Sequence, residues 1–383
     1  WQHFATTGAE IFTFDWEYAP RISAAWDITG TGRDKLSAYY GRYYDPIRNN
    51  LTNFAGTLSG TITEEQVFAN NQWVTYRTRG GPVVLDAAFA PTTKTPYTDD
   101  ILVNYQRDLG GSMAVEVSVY HRETKDVIED YDLCLYAGSC YPGDPNAPGS
   151  LFLGAGYFGF TEIPQNINFF IATLAGGERT LDGAEIVLRK RLSNRWQGLA
   201  SYTYSDAEGN TNSDSNADFA GDVIEMDPRA PNVKGTQPGS IEHIAKLAGS
   251  YHFDFGLVLG GAYRWNSGAY QNRTYLTFRR HLPVLDAEET TYNGATAFFI
   301  QEGAVGGVKN PSYGVLDLSA SYNRQFGPVG TEFFLSVFNA LDEQSTVLTQ
   351  DLAAGQGTVT FGDGTVWVQP RSISLGVRLS FGR

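Results

Sequence analysis

The residues best suited to bind an ion are four aspartates in one polar segment, residues 206–222. Asp206, Asp214, Asp218 and Asp222 stand there among asparagine and serine residues, which also supply oxygen donors. Ca²⁺ takes about six to eight oxygen ligands, and a site that meets millimolar extracellular calcium needs only weak affinity. The segment therefore predicts a weak Ca²⁺ site, with a solvated polar loop as the alternative, and we expect no other cofactor.

Two cysteines, Cys134 and Cys140, are close together in a stretch rich in glycine and proline. In an oxidising compartment two thiols so near in sequence form a local disulfide, whereas in a reducing one they stay free. Gly138 between them permits a tight turn. We therefore expect a disulfide, and a free pair is the alternative.

Catalytic motifs do not occur in this sequence. The five histidines are scattered, and no HExxH, GxSxG or Walker pattern is found. Residues 27–34 contain two glycines, as a phosphate or calcium loop would, but they lack the third glycine and the spaced carboxylates of such loops. We interpret this stretch as a hairpin turn in which glycine supplies positive φ. The sequence therefore predicts a protein that is not an enzyme.

The composition favours strands and turns over helices. The chain of 383 residues contains 22 Tyr, 23 Phe and 42 Gly, residue types that are common in strands and turns. No window approaches the roughly 20 consecutive apolar residues of a membrane-spanning helix. The formal net charge of −14 would repel a phosphate backbone, so we expect no nucleic-acid partner.

The clearest strand is the last one in the chain. Ile373, Leu375, Val377, Leu379 and Phe381 alternate with serine, glycine and arginine residues. Because successive side chains of a strand point to opposite faces, one face of this strand is apolar and the other is polar. We predict that the apolar face contacts lipid.

Five hairpins precede the terminal strand, and each joins two alternating strands by a short turn. The strand pairs are 22–26 with 36–43, 101–107 with 113–120, 184–190 with 196–204, 243–251 with 257–265, and 316–323 with 333–337. Long polar segments separate the hairpins, at 44–97, 128–179, 206–241, 267–312 and 340–366. Short turns thus alternate with long segments along a chain of eleven strands.

This alternation is typical of outer-membrane β-barrels, which have short periplasmic turns and long extracellular loops. Aromatic residues near strand ends fit interfacial girdles, although the core of a soluble β protein would also contain them. These aromatics are Trp26, Tyr43, Tyr44, Trp196, Tyr204, Tyr251, Trp265 and Phe381. We predict an all-β, antiparallel transmembrane barrel, with residues 1–383 as the C-terminal part of a single barrel domain. Single-chain bacterial barrels have an even number of strands, so we expect that these eleven strands do not close alone.

Strand parity also predicts a polar wall that faces the barrel lumen. Its members are Ser23, Ser37, Glu116, Ser118, Glu185, Arg189, Gln197, Ser201, Thr203, Lys246, Ser250, Arg264, Asp317, Ser319, Asn323, Ser336, Arg378 and Ser380. Mixed charges and hydroxyls suit a hydrated wall or a surface packed on a polar plug. Parity does not single out ligand-binding residues, and we expect specificity to lie mostly in the long segments.

Several segments resemble the C-terminal half of TonB-dependent outer-membrane receptors, especially the Oar-like group. The resemblance rests on residues 19–27, 40–46, 96–100, 183–191, 200–205, 336–342 and the terminal strand. It implies a barrel of about 22 strands, a plug domain inside it, and an N-terminal segment that engages TonB. This sequence, which starts at Trp1 inside patterned residues, would supply about half of the barrel. Gly382 and Arg383 depart from the family pattern, in which an aromatic residue comes last.

The resemblance implies an outer-membrane receptor that takes up a surface-bound nutrient or peptide-like ligand with TonB-derived energy. The long segments would be extracellular. Its partners would be TonB, the barrel-assembly machinery that reads Phe381, outer-membrane lipid, and other surface proteins. Two alternatives stay open: a structural or adhesive barrel that anchors surface loops in a multi-protein assembly, and a passive porin-like channel.

Overall fold

The computed structural model describes residues 2–6, 9–14, 16–45, 62–69, 71–80, 85–132, 155–162, 167–174, 176–211, 234–278, 297–301, 304–350 and 360–381. Apart from one turn of 3-10 helix at Ala155–Phe158, the regular structure in these ranges is β. None of the helical structure in them is long and apolar enough to cross a membrane.

The strands follow the alternating stretches of the sequence and extend several of them by a few residues. They are β1 (Gln2–Thr6), β2 (Ala9–Phe14), β3 (Arg21–Trp26), β4 (Asp34–Tyr44), β5 (Ile62–Ala69), β6 (Gln72–Gly80), β7 (Leu85–Phe89), β8 (Tyr97–Gly110), β9 (Met113–Lys125), β10 (Ile128–Asp132), β11 (Ile167–Thr173), β12 (Glu178–Ser193), β13 (Trp196–Gly209), β14 (Gly235–Thr236), β15 (His243–His252), β16 (Leu257–Asn266), β17 (Tyr270–Gln271), β18 (Thr274–Phe278), β19 (Ala297–Gln301), β20 (Val308–Lys309), β21 (Tyr313–Phe326), β22 (Val329–Phe338), β23 (Thr346–Thr349), β24 (Gly364–Trp367) and β25 (Ser372–Phe381).

Eleven strands form one antiparallel meander in the order β25-β22-β21-β16-β15-β13-β12-β9-β8-β4-β3, and β14 pairs with the end of β13. They are the five predicted hairpins and the terminal strand, so the predicted strands and their pairing are confirmed. Along this path β3 pairs with β4 and β25 with β22, and these two outer strands do not pair with each other. The sheet is therefore open, as the odd strand number led us to expect.

The hairpin turns lie together at one end of the sheet. In the first, the Asp27 carboxylate accepts hydrogen bonds from the backbone N–H groups of Gly30 and Gly32, at 3.0 and 2.7 Å. Both glycines have positive φ, which confirms that 27–34 is a turn. Two other turns are tighter than the sequence predicted, because β8 continues to Gly110 and β21 to Phe326.

Cross-strand registers assign every residue of the meander to one of two faces. All residues predicted for the polar wall share one face, which we call the polar face. The opposite, apolar face leaves large hydrophobic side chains exposed, for example Leu247 at 60% and Leu375 at 78%. Exposed apolar patches of this extent mark a surface that water does not cover in the native environment.

The end of the sheet opposite the turns carries packed structure within segments that the sequence pattern indicates only as long and polar. β7 pairs in parallel with β11, and β11 pairs with β10. These strands enclose the loop-end cluster, which consists of Ala90, Tyr131, Phe158, Phe170, Ala172 and Leu174, all nearly or fully buried. Sequence patterns do not reveal this core, because the core is assembled from short apolar stretches that are far apart in the chain.

Candidate ligand-binding surface

On β8, β9, β12 and β13 the polar face carries carboxylates held by neutral donors. Glu116 Oε1 accepts a hydrogen bond from Asn104 Nδ2 at 2.8 Å, and the same nitrogen reaches Ser118 Oγ at 2.8 Å. One strand further, Glu185 Oε1 accepts from Thr203 Oγ1 at 3.2 Å. These carboxylates have no cation beside them among the contacts described, so this part of the wall is acidic.

The neighbouring part of the polar face is basic. Lys246 on β15 lies directly opposite Arg264 on β16, and Ser201 is the partner of Lys246 on the other side. Arg189 lies on the same face of β12. All three cationic side chains are exposed, and none forms an ion pair or hydrogen bond with another described residue. These three residues form what we call the cation group, which can attract carboxylate or phosphate groups.

Near the hairpin turns, side chains of the polar face are paired with one another. Arg378 donates to Glu332 Oε2 at 2.8 Å across β25 and β22. Gln197 Nε2 donates to Ser250 Oγ at 3.1 Å, and this hydroxyl lies 3.2 Å from His252 Nε2. These side chains at this end of the wall are therefore held by hydrogen bonds and one ion pair.

The apolar face includes the terminal-strand row Ile373, Leu375, Val377, Leu379 and Phe381. More than half of each of these side chains is exposed. Four of these residues pair with apolar residues of β22, Leu375 with Leu335 for example, and Leu379 pairs with Thr331. The register thus continues the apolar face across the last two strands, while lipid contact stays a prediction.

The loop-end cluster gives this end of the sheet a fixed shape. Phe158 packs edge-on against Tyr131 and Tyr157, with ring centroids 5.3 and 5.1 Å apart, and its ring is tilted against Phe170 at 4.9 Å. The hydroxyls of Tyr131 and Tyr157 are hydrogen-bonded at 2.7 Å. Aromatic pairs of this geometry stabilise beyond their buried area, so the surface at this end is preformed.

A pocket of about 500 Å³ lies where the loop-end cluster meets the strand ends. It is lined by Lys94, Lys125, Asp126, Tyr157 and Glu178, among others. Its lining combines an aromatic wall with charges of both signs, which suits a polar ligand that carries both hydrogen-bond donors and acceptors.

A second polar cluster joins the start of β15 to the strands that follow β16. Glu242 Oε2 accepts hydrogen bonds from Lys309 Nζ at 2.8 Å and from Tyr270 Oη at 2.9 Å. The hydrogen bond from Lys309 lowers the pKa of Glu242 below its ordinary value, and Tyr270 adds to this effect. The same carboxylate raises the pKa of Lys309.

Asn310 organises this end of the structure, and sequence patterns did not single it out. Asn310 is 3% exposed; its Oδ1 accepts from the backbone N–H and the hydroxyl of Thr349, both at 3.0 Å. Its Nδ2 donates to Gln271 Oε1 at 2.9 Å. The only sequence signal was the turn-forming dipeptide with Pro311.

Most residues of the predicted calcium loop and both cysteines lie outside the described residues. These are Asp214, Asp218, Asp222, Cys134 and Cys140. Within the described ranges no group of three or more histidine, cysteine, aspartate or glutamate side chains is arranged to hold a metal ion.

Asp206 alone of the four aspartates is described, on β13 directly opposite Asp182. The calcium site and the disulfide therefore stay predictions.

The eleven-strand meander with its two faces can be compared with known proteins. The family model described as "Outer membrane beta barrel domain" matches residues 7–340. This chain belongs to that family. The family places the chain in the bacterial outer membrane, which confirms the localisation and the fold class expected from the sequence.

Relatives of this family member include a transporter from Myxococcus xanthus, "TonB-dependent transporter Oar". It is 24% identical, and the match covers 86% of this chain and 32% of Oar. The chain therefore spans about a third of the length of this curated relative. The similarity supports the predicted resemblance to the Oar-like group.

Solved structures with a similar fold are also outer-membrane transporters and receptors. The outer-membrane transporter YddB of Escherichia coli superposes with a TM-score of 0.53 at 14% identity, over 93% of this chain and 39% of YddB. The FrpB iron transporter of Neisseria meningitidis gives a TM-score of 0.50 at 12% identity, over 94% of this chain and 38% of FrpB. At such identities the likeness shows the fold alone.

Proposed function

We propose that this barrel chain is part of an outer-membrane transporter that takes up a surface-bound ligand with energy derived from TonB. The observation that carries the proposal is the polar face, a hydrogen-bonded and charged wall that runs across the whole meander. The similarity to Oar supports it. In this proposal TonB would act on a plug domain inside the barrel through an N-terminal segment.

In this proposal the two ends of the sheet have different tasks. The loop-end cluster and the pocket beside Lys94 and Tyr157 would receive the ligand from outside. The polar face would then offer it exchangeable hydrogen bonds from serine, threonine and carboxylate groups. The cation group on β12, β15 and β16 would favour ligands that carry a carboxylate or phosphate, because its charges have no partner among the described residues.

We also propose a weak Ca²⁺ site in residues 206–222 and a disulfide between Cys134 and Cys140. Both would order long segments on the outer side, the first by neutralising crowded aspartates. The barrel-assembly machinery would insert the chain by reading its terminal strand.

Transport can be tested without knowing the ligand. Cells with and without the full-length gene are grown in a defined medium, and the loss of each medium component is followed by mass spectrometry. We expect at least one component to be depleted faster when the gene is present, and this advantage to disappear when TonB is deleted or the proton gradient is collapsed. Equal depletion by both strains in all media would contradict uptake, and depletion that survives TonB deletion would indicate a passive channel.

A structural or adhesive barrel is the second candidate, and the loop-end cluster favours it. A hydrophobic core of its own makes the outer end rigid, as a docking surface for other surface proteins requires. For this function, cross-linking of whole cells should join the full-length protein to stable partners while deletion of the gene leaves the depletion of every medium component unchanged.

A further inference from the structure

Three glycines lie side by side on the apolar face. Gly198 on β13 is directly opposite Gly249 on β15, which is directly opposite Gly261 on β16. None of them has positive φ. A Cβ added at Gly198 or Gly261 would meet its nearest neighbour at 3.4 Å, an ordinary contact, whereas at Gly249 it would lie 3.0 Å from a backbone oxygen.

At least two of the three positions therefore do not need glycine for the fold itself. Glycine within a strand weakens the strand, and it often marks a place where another molecule approaches the backbone closely. The row thus indicates a surface that receives something from outside the sheet.

The glycine row is the floor of an apolar groove of about 780 Å³. On the side of the hairpin turns it is walled by Trp196, Tyr251 and Leu259, and on the other side by Leu247 and Tyr263. The two walls are four residues apart along each strand, about 13 Å, and their side chains narrow this gap. A helix about 10–12 Å across with its side chains does not fit between them, whereas a single hydrocarbon chain does.

A lysine closes one end of the groove. Lys190 on β12 is directly opposite Gly198, and only 8% of it is exposed. Its ammonium donates to the hydroxyl and, at 3.1 Å, the carbonyl oxygen of Ser193, and to the carbonyl oxygen of Arg191 at 3.4 Å. It lies 4.5 Å from the ring centroid of Trp196. No described carboxylate pairs with it, so the positive charge stands on the apolar face beside uncharged groups alone.

We propose that this groove binds one phospholipid, with an acyl chain along the glycine row and the phosphate at Lys190. The Lys190 ammonium is hydrogen-bonded but has no described opposite charge beside it, and a buried charge is costly unless it is also paired. A phosphate supplies the opposite charge at the end of the hydrocarbon chain. The position next to the turn at Asn194 fits a headgroup, since the strand ends lie at the level of the membrane interface. This inference concerns the outer surface and goes beyond the transport proposed for the polar face.

The test uses the full-length protein, purified from outer membranes in a mild detergent and titrated with phosphatidylethanolamine under native mass spectrometry. Gly261→Leu fills the groove. Ala38→Leu adds a leucine at an exposed position of the apolar face on β4, outside the groove, and is the matched control. Heat-modifiable mobility verifies that each variant is folded.

We expect the wild type and Ala38→Leu to retain one phospholipid, and Gly261→Leu to bind it about tenfold more weakly, since methylenes excluded from the groove lose their burial. Lys190→Gln should keep the binding of the chain but release the lipid at lower collision energy.

If Gly261→Leu retains the phospholipid as well as the wild type does, the groove is not the binding site. If Lys190→Gln releases the phospholipid at the same collision energy as the wild type, Lys190 does not contact the phosphate. A dimer in the wild type that Gly261→Leu abolishes, without bound lipid in either, would show that a second copy occupies the groove and would also overturn the proposal.

Discussion

Lys246 and Arg264 face each other directly across β15 and β16 on the polar face. Like charges in this position destabilise a sheet, and no described carboxylate joins either side chain. Two cations that repel each other at the centre of a polar wall reduce the stability of the sheet. We expect such a pair where the wall attracts an anionic ligand.

The first prediction concerns this pair. Lys246→Gln should leave the barrel as stable as before or stabilise it by about 0.2–1 kcal/mol, because it removes the repulsion. It should at the same time slow the TonB-dependent depletion of anionic medium components. Urea unfolding of the full-length protein and the depletion assay measure the two effects.

Arg324→Gln removes one exposed cation from the opposite, apolar face of β21. It is the matched control and should leave the depletion of anions unchanged. Loss of stability in Lys246→Gln would show that an attraction, rather than repulsion, dominates at this position.

The second prediction compares adjacent residues of the terminal strand. Val377 is 56% exposed on the apolar face, whereas Arg378 is paired with Glu332 on the polar face. Val377→Arg should cost about 2–4 kcal/mol if it places a charge at mid-membrane depth. Arg378→Ser should cost at most about 1 kcal/mol, as exposed ion pairs contribute little.

Heat-modifiable mobility of the full-length protein should then show much less folded barrel for Val377→Arg and little change for Arg378→Ser. If both variants fold equally well, the strand does not face lipid.

The third prediction concerns the loop-end cluster. Phe158 is fully buried among aromatic rings, so Phe158→Ala should destabilise this cluster by about 3–5 kcal/mol. The meander should remain folded, because none of its strands contributes to the cluster. Limited proteolysis of whole cells should cut the variant faster outside the membrane while the heat-modifiable mobility is unchanged.

Phe255→Ala, at an exposed turn position, is the matched control and should leave the proteolysis rate as it was. A Phe158→Ala protein that resists protease like the wild type would mean that the cluster does not hold the outer end together.

The fourth prediction is a pH window for the link between Glu242 and Lys309. The pKa of Glu242 is lowered in the folded protein, so its contribution is present above its ordinary value of 4.5 and is lost as pH falls through the folded value. The pKa of Lys309 is raised, so its contribution is present below 10.5 and is lost as pH rises through the folded value.

Hydrogen exchange of residues 304–312 should therefore be slower in the wild type than in Glu242→Gln at neutral pH. The difference should vanish in acid below the folded pKa of Glu242, where the carboxyl is protonated. A difference that persists after the carboxyl is protonated would assign the protection to something other than this ion pair.

The fifth prediction is the disulfide between Cys134 and Cys140. A bridge that closes so short a loop removes little chain entropy, about 2 kcal/mol on the usual length scaling. Its main effect would be to fix the residues between the cysteines. Thiol labelling of whole cells should modify neither cysteine before reduction and both afterwards, and full labelling without reductant would contradict the bridge.

The sequence by itself determined much of the fold, because the strands and turns depend on local residue patterns. The alternation from Ile373 to Phe381 defines a strand and its two faces without reference to any other residue. Turns such as 27–34 follow from residues that tolerate positive φ. Once strands and short turns alternate, neighbouring strands pair in order, and the eleven-strand meander results.

The tertiary structure alone decided which side chains meet across strands. The separation of Lys246 and Arg264 along the chain does not show that they lie in one cross-strand row, and the same is true of Gly198 and Gly261. A register shift of a single residue would move one member of each pair to the other face of the sheet. The loop-end cluster depends on β7 and β11, which pair in parallel although about 80 residues separate them in the chain. Non-local packing and strand register determine such contacts. The same two factors position the residues of the cation group, the proposed lipid groove and the loop-end cluster.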